Sequence, residues 1–125
     1  MKTKKLLSGL FLLLMLFSCS DSNDPNPVND VFIPNLSNQW ASNRNSNFFF
    51  LAETEGVNKS NFTGNEQDQD GNVAQLTGNF ENYNVQFTFD VSKVTYSGKF
   101  IKGSKPLRME LKGSDGKNLV ITRQE

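Results

Sequence analysis

The sequence from residue 83 to residue 91 reads Tyr83-Asn84-Val85-Gln86-Phe87-Thr88-Phe89-Asp90-Val91. Its five apolar side chains alternate with four polar ones. A β-strand directs alternate side chains to opposite faces, so all five apolar groups would share one face, whereas a helix would scatter them. The segment is therefore predicted to be a strand with one buried face, formed by Tyr83, Val85, Phe87, Phe89 and Val91.

Shorter segments with the same alternation precede and follow this strand. They are Ser37 to Ser42 around Trp40, Phe48 to Ala52, Phe62 to Gly64, Ala74 to Phe80, Val94 to Phe100, Leu107 to Leu111 and Leu119 to Ile121. No connection between them is long and apolar enough for the crossover that parallel strands require. The sequence thus predicts an all-β fold, a small antiparallel meander of about eight strands.

A local repeat favours closure of this sheet into a barrel. Phe62-Thr63-Gly64, Leu76-Thr77-Gly78 and Tyr96-Ser97-Gly98 each place glycine on the apolar face, two residues after a large side chain. Such a glycine lets a strand coil tightly and makes room for a bulky residue from across a barrel. An eight-stranded sandwich has the same alternation and stays open as an alternative.

The beginning of the chain has the features of an export signal. Lys2, Lys4 and Lys5 precede an apolar run from Leu6 to Phe17, too short for the ~20 residues that span a bilayer. Leu16-Phe17-Ser18-Cys19 resembles a bacterial lipobox, although Phe17 replaces the usual small residue. The resemblance implies that residues 1–18 are removed and that Cys19 is diacylated, which would anchor the protein to a membrane. Cys19 is the sole cysteine, so an intrachain disulfide is excluded.

Residues 19–36 are interpreted as the lipidated cysteine and a flexible tether, and residues 37–125 as the barrel domain. Ser20 to Asp30 is polar and contains two prolines, which disfavour helix and sheet. Asp21 and Asp24 resemble the surface-export signal of Bacteroidetes lipoproteins. This likeness implies an outer-membrane lipoprotein exposed at the cell surface, with a periplasm-facing orientation as the alternative.

Composition argues against several classes of function. Removing residues 1–18 takes away three of the 13 basic groups and none of the 13 acidic groups, leaving a formal charge of −3. An acidic chain without a basic run is unsuited to nucleic acid, so the lipid is the expected membrane contact. The sequence has no histidine to act as a catalytic base or zinc ligand. We therefore expect neither catalytic residues nor a cofactor.

One acidic segment offers possible metal ligands. Asp68-Gln69-Asp70-Gly71-Asn72 carries carboxylates two residues apart, but its glycine stands at the fourth position of the loop, whereas a calcium-binding EF-hand has it at the sixth. The segment is predicted to be a polar hairpin turn without a metal.

The predicted barrel resembles the small calycin-like barrels, lipocalins and avidins, with an OB-like barrel as a related possibility. Trp40 in Ser37-Asn38-Gln39-Trp40 is similar to the tryptophan of the lipocalin Gly-x-Trp motif, with Asn38 in place of glycine. The resemblance implies that Arg123 stacks over Trp40 to close one barrel end. In size, leader and strand count, the chain also resembles the potempins, small lipoproteins of oral Bacteroidetes that inhibit secreted peptidases.

These observations predict a monomeric, non-enzymatic lipoprotein that binds a protein partner, namely an inhibitor of a secreted peptidase. Val31-Phe32-Ile33-Pro34 could lie in a peptidase cleft as an extended strand, with the hairpin tips at Asp68, Asp70 and Asp115 as a neighbouring second contact. In the competing interpretation, Phe32 and Ile33 fold back to plug the barrel or add a strand. The alternatives in function are a lipocalin-like protein for a small apolar ligand and a structural or assembly lipoprotein of the outer membrane.

Overall fold

The computed structural model of the protein describes residues 31–125, which contain eight β-strands. They are Trp40–Ser42 (β1), Asn47–Ala52 (β2), Lys59–Gln67 (β3), Val73–Glu81 (β4), Asn84–Phe89 (β5), Thr95–Phe100 (β6), Arg108–Gly113 (β7) and Asn118–Arg123 (β8). Within these residues there is no helix long and apolar enough to cross a membrane. The predicted signal peptide (residues 1–18), Cys19 and the acidic residues Asp21 and Asp24 lie outside the described part of the chain.

Every strand pairs antiparallel with the next one, and β1 also pairs with β8. At this seam Trp40 lies opposite Arg123, and Ser42 lies opposite Ile121. The sheet is therefore a closed barrel and not a sandwich. The predicted all-β antiparallel meander that closes into a barrel is confirmed.

The interior of the barrel is filled with aromatic side chains. Val85, Phe87 and Phe89 of β5 point inward as their alternation predicts, each 5% exposed or less. The Phe87 ring lies between 5.7 and 6.5 Å from five other aromatic rings, those of Phe48, Phe50, Phe62, Phe89 and Tyr96. An eight-stranded barrel is only wide enough to be filled by side chains, and here aromatic rings fill it.

The prediction that Val91 points into the core is wrong. β5 ends at Phe89, where the Lys93 amide donates to the Phe89 carbonyl at 3.0 Å and Lys93 adopts a φ of 65°. The chain therefore turns before the alternation is complete, and Val91 lies on the turn, 91% exposed. A turn ends the period-two geometry although the apolar pattern continues through it.

The inward glycines make room for large neighbours, as their spacing predicts. Gly78 lies opposite Phe62 on one side and Phe87 on the other. A Cβ atom there would lie 2.8 Å from Phe62 Cζ and 2.6 Å from Phe87 Cβ, so no larger residue fits without a shift. Gly64 lies in the same way beside Phe50 and Leu76, whereas a Cβ atom at Gly98 would meet the backbone of Glu110 and Leu111. The bulky groups come from adjacent strands, whereas the sequence interpretation placed them across the barrel.

The antiparallel order puts successive connections at alternate ends of the barrel. The end that β1 enters, called the N-terminal end, holds residues 53–58, 82–83 and 101–107. The opposite end, called the Arg44 end, holds residues 43–46, 68–72, 90–94 and 114–117. Phe32, Ile33 and Pro34 of the proposed Val31–Pro34 contact therefore lie at one end, and the tips with Asp68, Asp70 and Asp115 lie at the other. The expectation that they neighbour each other is wrong, because an odd number of strands separates them.

Candidate functional site

At the N-terminal end, the chain before β1 packs onto the barrel. The Phe32 ring stacks on Tyr83 at 4.3 Å between centroids, with 10° between the ring planes, and contacts Phe100 at 5.4 Å. The Phe32 amide donates to Asn82 Oδ1 at 3.2 Å, and Pro34 and Leu36 are buried. The structure thus places Phe32 as a cover on this barrel end, without adding a strand. The compact unit begins at Phe32, five residues before the boundary drawn from the sequence.

Ile33 lies between these anchored residues and faces outward. Its side chain is 52% exposed, and Leu51 on β2 is 67% exposed. A groove of about 550 Å³ lies between the segment of residues 33–38 and β2 with the loop that follows it. We call Ile33, Leu51 and this groove the Ile33–Leu51 surface. It presents two apolar side chains on a backbone that the buried neighbours hold in place.

Trp40 and Arg123 meet at the barrel seam, but Arg123 acts through hydrogen bonds. Trp40 is fully buried, and its Nε1 donates to the Leu36 carbonyl at 3.1 Å. Arg123 Nε donates to the Ser37 carbonyl at 3.0 Å, and Nη2 donates to Ser37 Oγ at 3.2 Å. Among residues 31–125 the cation–π contacts belong to Arg44 and Lys102, so the expected stack of Arg123 on Trp40 is not formed.

Asn38, which stands where the lipocalin motif has glycine, adopts a φ of 73°. This left-handed conformation is accessible to glycine and, among other residues, mainly to asparagine and aspartate. The Asn38 Nδ2 group also donates to the Gln124 carbonyl at 3.3 Å. Asparagine therefore supplies the backbone geometry that a glycine would supply at this position.

At the Arg44 end, a guanidinium group sits in the barrel mouth. Arg44 Nε and Nη2 donate to the two Glu66 carboxylate oxygens at 2.8 and 2.7 Å, and Nη1 donates to Tyr96 Oη at 2.8 Å. The Cζ atom of Arg44 lies 5.4 Å from the centre of the Tyr96 ring and 5.9 Å from the centre of the Phe89 ring. The hydrogen bonds to Glu66 raise the pKa of the Arg44 guanidinium. Ser46 Oγ also donates to Glu66, which completes the Arg44 cluster.

The sequence interpretation missed this cluster, although one signal was available. Glu66 has no role in that interpretation. It nevertheless shares its face of β3 with Phe62 and Gly64, at spacings of two residues, and its side chain is only 13% exposed. An acidic residue on an inward face requires a cation, and Arg44 in the preceding hairpin connection provides it.

A groove of about 680 Å³ opens beside the Arg44 cluster. Phe89, Val94 and Tyr96 contribute to its wall, and the exposed Val73 and Val91 flank it. Asp115 also contributes to the lining, but its carboxylate accepts a hydrogen bond from the Lys117 amide within its own turn, at 3.1 Å. This groove at the mouth of the barrel is therefore larger than the one beside Ile33.

Asp68 organises the turn between β3 and β4. Its carboxylate accepts hydrogen bonds from the Asp70 and Asn72 amides, both at 2.9 Å, and from Asn72 Nδ2 at 3.2 Å. The bonds from Asn72 lower the pKa of Asp68. Within residues 31–125 no group of three or more His, Cys, Asp or Glu side chains is arranged to hold a metal ion.

Comparison with known proteins supports the fold alone. The solved structure of a redesigned β-barrel is similar to this chain, with a TM-score of 0.50 over 72% of this chain and 92% of the other. The two sequences are 16% identical, which is too low to carry functional information. No protein family and no curated protein matches the sequence.

Proposed function

We propose that the protein is a non-enzymatic lipoprotein, anchored in the outer membrane through Cys19, that inhibits a secreted peptidase. The observation that supports the inhibitor proposal is the presentation of Ile33. Phe32 and Pro34 on either side of it are packed against the barrel, while the Ile33 side chain faces outward. The segment is held in place before any partner arrives.

A segment held in this way is suited to a peptidase cleft. Clefts that bind extended chain use main-chain pairing for affinity and pockets for alternate side chains for specificity. A segment that is already ordered loses little conformational entropy on binding. Leu51, close to Ile33 across the groove, adds a second apolar contact beside the segment. The absence of histidine from the sequence supports a binding role over a catalytic one.

The inhibitor proposal is tested by assaying the protein against a panel of metallo-, serine and cysteine peptidases. Lack of inhibition at micromolar concentration would reject it. If inhibition is found, Ile33→Asp should weaken it by at least about tenfold, the worth of a buried apolar side chain at an interface. Val91→Asp is the matched control, because Val91 is an exposed apolar residue at the opposite barrel end.

The anchoring proposal has its own test. Metabolic labelling with a palmitate analogue should label the wild-type protein and should not label a Cys19→Ser variant. Brief digestion of intact cells with an added protease then separates the two orientations. A surface-exposed protein is degraded, and a periplasm-facing one is protected.

A second candidate function rests on the groove at the Arg44 end. Buried aromatic side chains fill the interior of the barrel, whereas about 680 Å³ of partly apolar space lies at its mouth. This volume is within the range of small-molecule sites. Saturable binding of a fluorescent apolar probe, abolished by Val73→Asp, would favour this alternative. A role in envelope assembly would instead show as co-purification with one outer-membrane protein.

A further inference from the structure

Among residues 31–125, part of the β2 edge is not covered by a neighbouring strand of the barrel. β2 has six residues, but β1 has three and pairs with it only through Trp40 opposite Phe48 and Ala41 opposite Asn47. Continuing this register would place Asn38 opposite Phe50. The positive φ of Asn38 turns the chain away at that point. Within the described part of the chain, the edge of β2 from Phe50 to Ala52 therefore has no neighbouring strand.

The hydrogen-bond pattern identifies the groups on this edge. The Glu53 amide donates to the Asn61 carbonyl of β3 at 2.8 Å. Since main-chain groups alternate in direction along a strand, those of Leu51 also face β3, and those of Phe50 and Ala52 face away from it. Within residues 31–125 no main-chain hydrogen bond joins Phe50 or Ala52 to the segment before β1. Two N–H donors and two carbonyl acceptors thus face the groove.

The groove beside this edge has apolar flanks and one charge. The exposed side chains of Leu51 and Ile33 flank it. Among the described residues that line it, Glu55 is the single ionisable one, at the end of the edge where β2 leads into its loop. A ligand that fits this groove would pair with the main-chain groups of the edge and cover its apolar border. It would also carry a positive charge near Glu55.

We propose that the Phe50–Ala52 edge binds an extended segment of a partner protein by β-augmentation, and that a basic side chain of this segment lies against Glu55. This inference rests on the proposed function in that it assigns the edge to the same Ile33–Leu51 surface. The segment would pair its main chain with Phe50 and Ala52. It would cover Leu51 and Ile33 with alternate side chains. Its basic residue would offset the carboxylate.

The first test needs no partner. Amide hydrogen exchange of the full-length protein in a mild detergent, followed by NMR, compares neighbouring residues of β2. The Phe50 and Ala52 amides should exchange at least about tenfold faster than those of Leu51 and Glu53, because among residues 31–125 only the latter have a main-chain partner. Equal protection of all four amides, or protection that rises with protein concentration and so reveals a second copy on the edge, would overturn the proposal.

The second test uses a defined probe, an acetylated hexapeptide of alternating threonine and valine that ends in lysine. It should slow exchange at Phe50 and Ala52. The same peptide with N-methyl groups on alternate residues should bind at least about tenfold more weakly, since one main-chain hydrogen bond corresponds to roughly that factor. Equal binding of the two peptides, or no added protection by the first, would disprove main-chain pairing.

Variants of the protein test the main-chain pairing and the charge contact with Glu55 separately. Ala52→Pro removes one edge donor and should weaken probe binding about tenfold. Glu55→Lys leaves the backbone unchanged and should reverse the preference, so that a probe ending in glutamate binds better than one ending in lysine. The charge assignment is wrong if Glu55→Lys leaves the preference as it was, and this result holds even if Ala52→Pro fails to fold.

The tests of the edge site and of the inhibitor proposal can fail independently of each other. Probe binding at Phe50 and Ala52 without inhibition of any peptidase would keep the edge site and reject the peptidase as partner. Inhibition of a peptidase by a protein whose β2 amides are already protected would keep the inhibitor and reject the edge site.

Discussion

The Arg44 guanidinium and the Glu66 carboxylate are joined by two hydrogen bonds of 2.7 and 2.8 Å in the mouth of the barrel. Through its further bond to Tyr96, Arg44 connects the β1–β2 hairpin to β3 and β6. The Glu66 side chain is 13% exposed, so its negative charge has little contact with water and depends on Arg44. The pair gives the barrel a polar closure on top of an aromatic core.

Replacing Arg44 with methionine should lower the free energy of unfolding by about 2 kcal/mol, because a mostly buried carboxylate loses its cation. Urea unfolding followed by fluorescence measures this. Arg108→Met is the control, since Arg108 and Glu110 form a more exposed pair that should contribute only about 0.5 kcal/mol. Equal losses in the two variants would contradict the role given to Glu66. The double variant Arg44→Met/Glu66→Met should recover part of the lost stability.

Gly78→Ala should destabilise the barrel by about 3 kcal/mol, because the added methyl group meets Phe62, Phe87 and the Gln86 carbonyl. Asn79→Ala, at the next position with an outward side chain, should change the stability by less than about 0.5 kcal/mol. Thermal unfolding of both variants provides the measurement. If the two melt together, the interior at Gly78 is looser than the structure indicates.

The effect of an Asn38 substitution on stability should depend on how readily the new residue adopts a positive φ. Asn38→Gly and Asn38→Ala both lose the bond to the Gln124 carbonyl, so their difference isolates the cost of a φ of 73°. We expect the glycine variant to be more stable by about 1 kcal/mol, even though glycine increases the entropy of the unfolded chain. Chemical denaturation of both proteins tests this. A more stable alanine variant would show that residue 38 can leave the left-handed region.

The Asp68 turn should make a small contribution to stability that depends on pH. The pKa of Asp68 is lower in the folded protein than its ordinary value of 3.8, so the unfolded chain binds the proton more tightly. The contribution is therefore present above this value and is lost as the pH falls through the folded-state pKa. Unfolding free energies measured from about pH 6 to pH 3 should fall less steeply for Asp68→Ala than for the wild type. Asp70→Ala, whose side chain is not part of the turn's hydrogen bonds, should keep the wild-type slope.

The strands could be predicted from the sequence because their cause is local. Alternation along β5 records which side chains face the core, and the same signal is present in the other segments. Closure of the sheet was only favoured, since a sandwich has the same alternation. It depends on the pairing of Trp40 with Arg123, residues far apart in the chain, which no local pattern records.

The candidate sites were harder to predict, because they depend on contacts between distant parts of the chain. Arg44 lies in a polar connection that resembles any exposed turn, and its importance follows only from the inward position of Glu66. The segment before β1 was interpreted as tether up to residue 36. Phe32, Pro34 and Leu36 are inward at a spacing of two, but the run is short and interrupted by proline, so the pattern alone did not separate docking from exposure.

The even number of strands has a consequence for how the molecule can vary. The chain enters β1 and leaves β8 at the same barrel end. The four hairpin tips of the Arg44 end therefore lie at the end opposite to these two points. Insertions and substitutions in the tips at residues 68–72, 90–94 and 114–117 would change neither the N-terminal segment nor the seam, whereas the tip at residues 43–46 carries Arg44 and the bonds of Asn43 to Val120. Variation of the loops at that end could therefore create new surfaces while the barrel and its N-terminal segment stay the same.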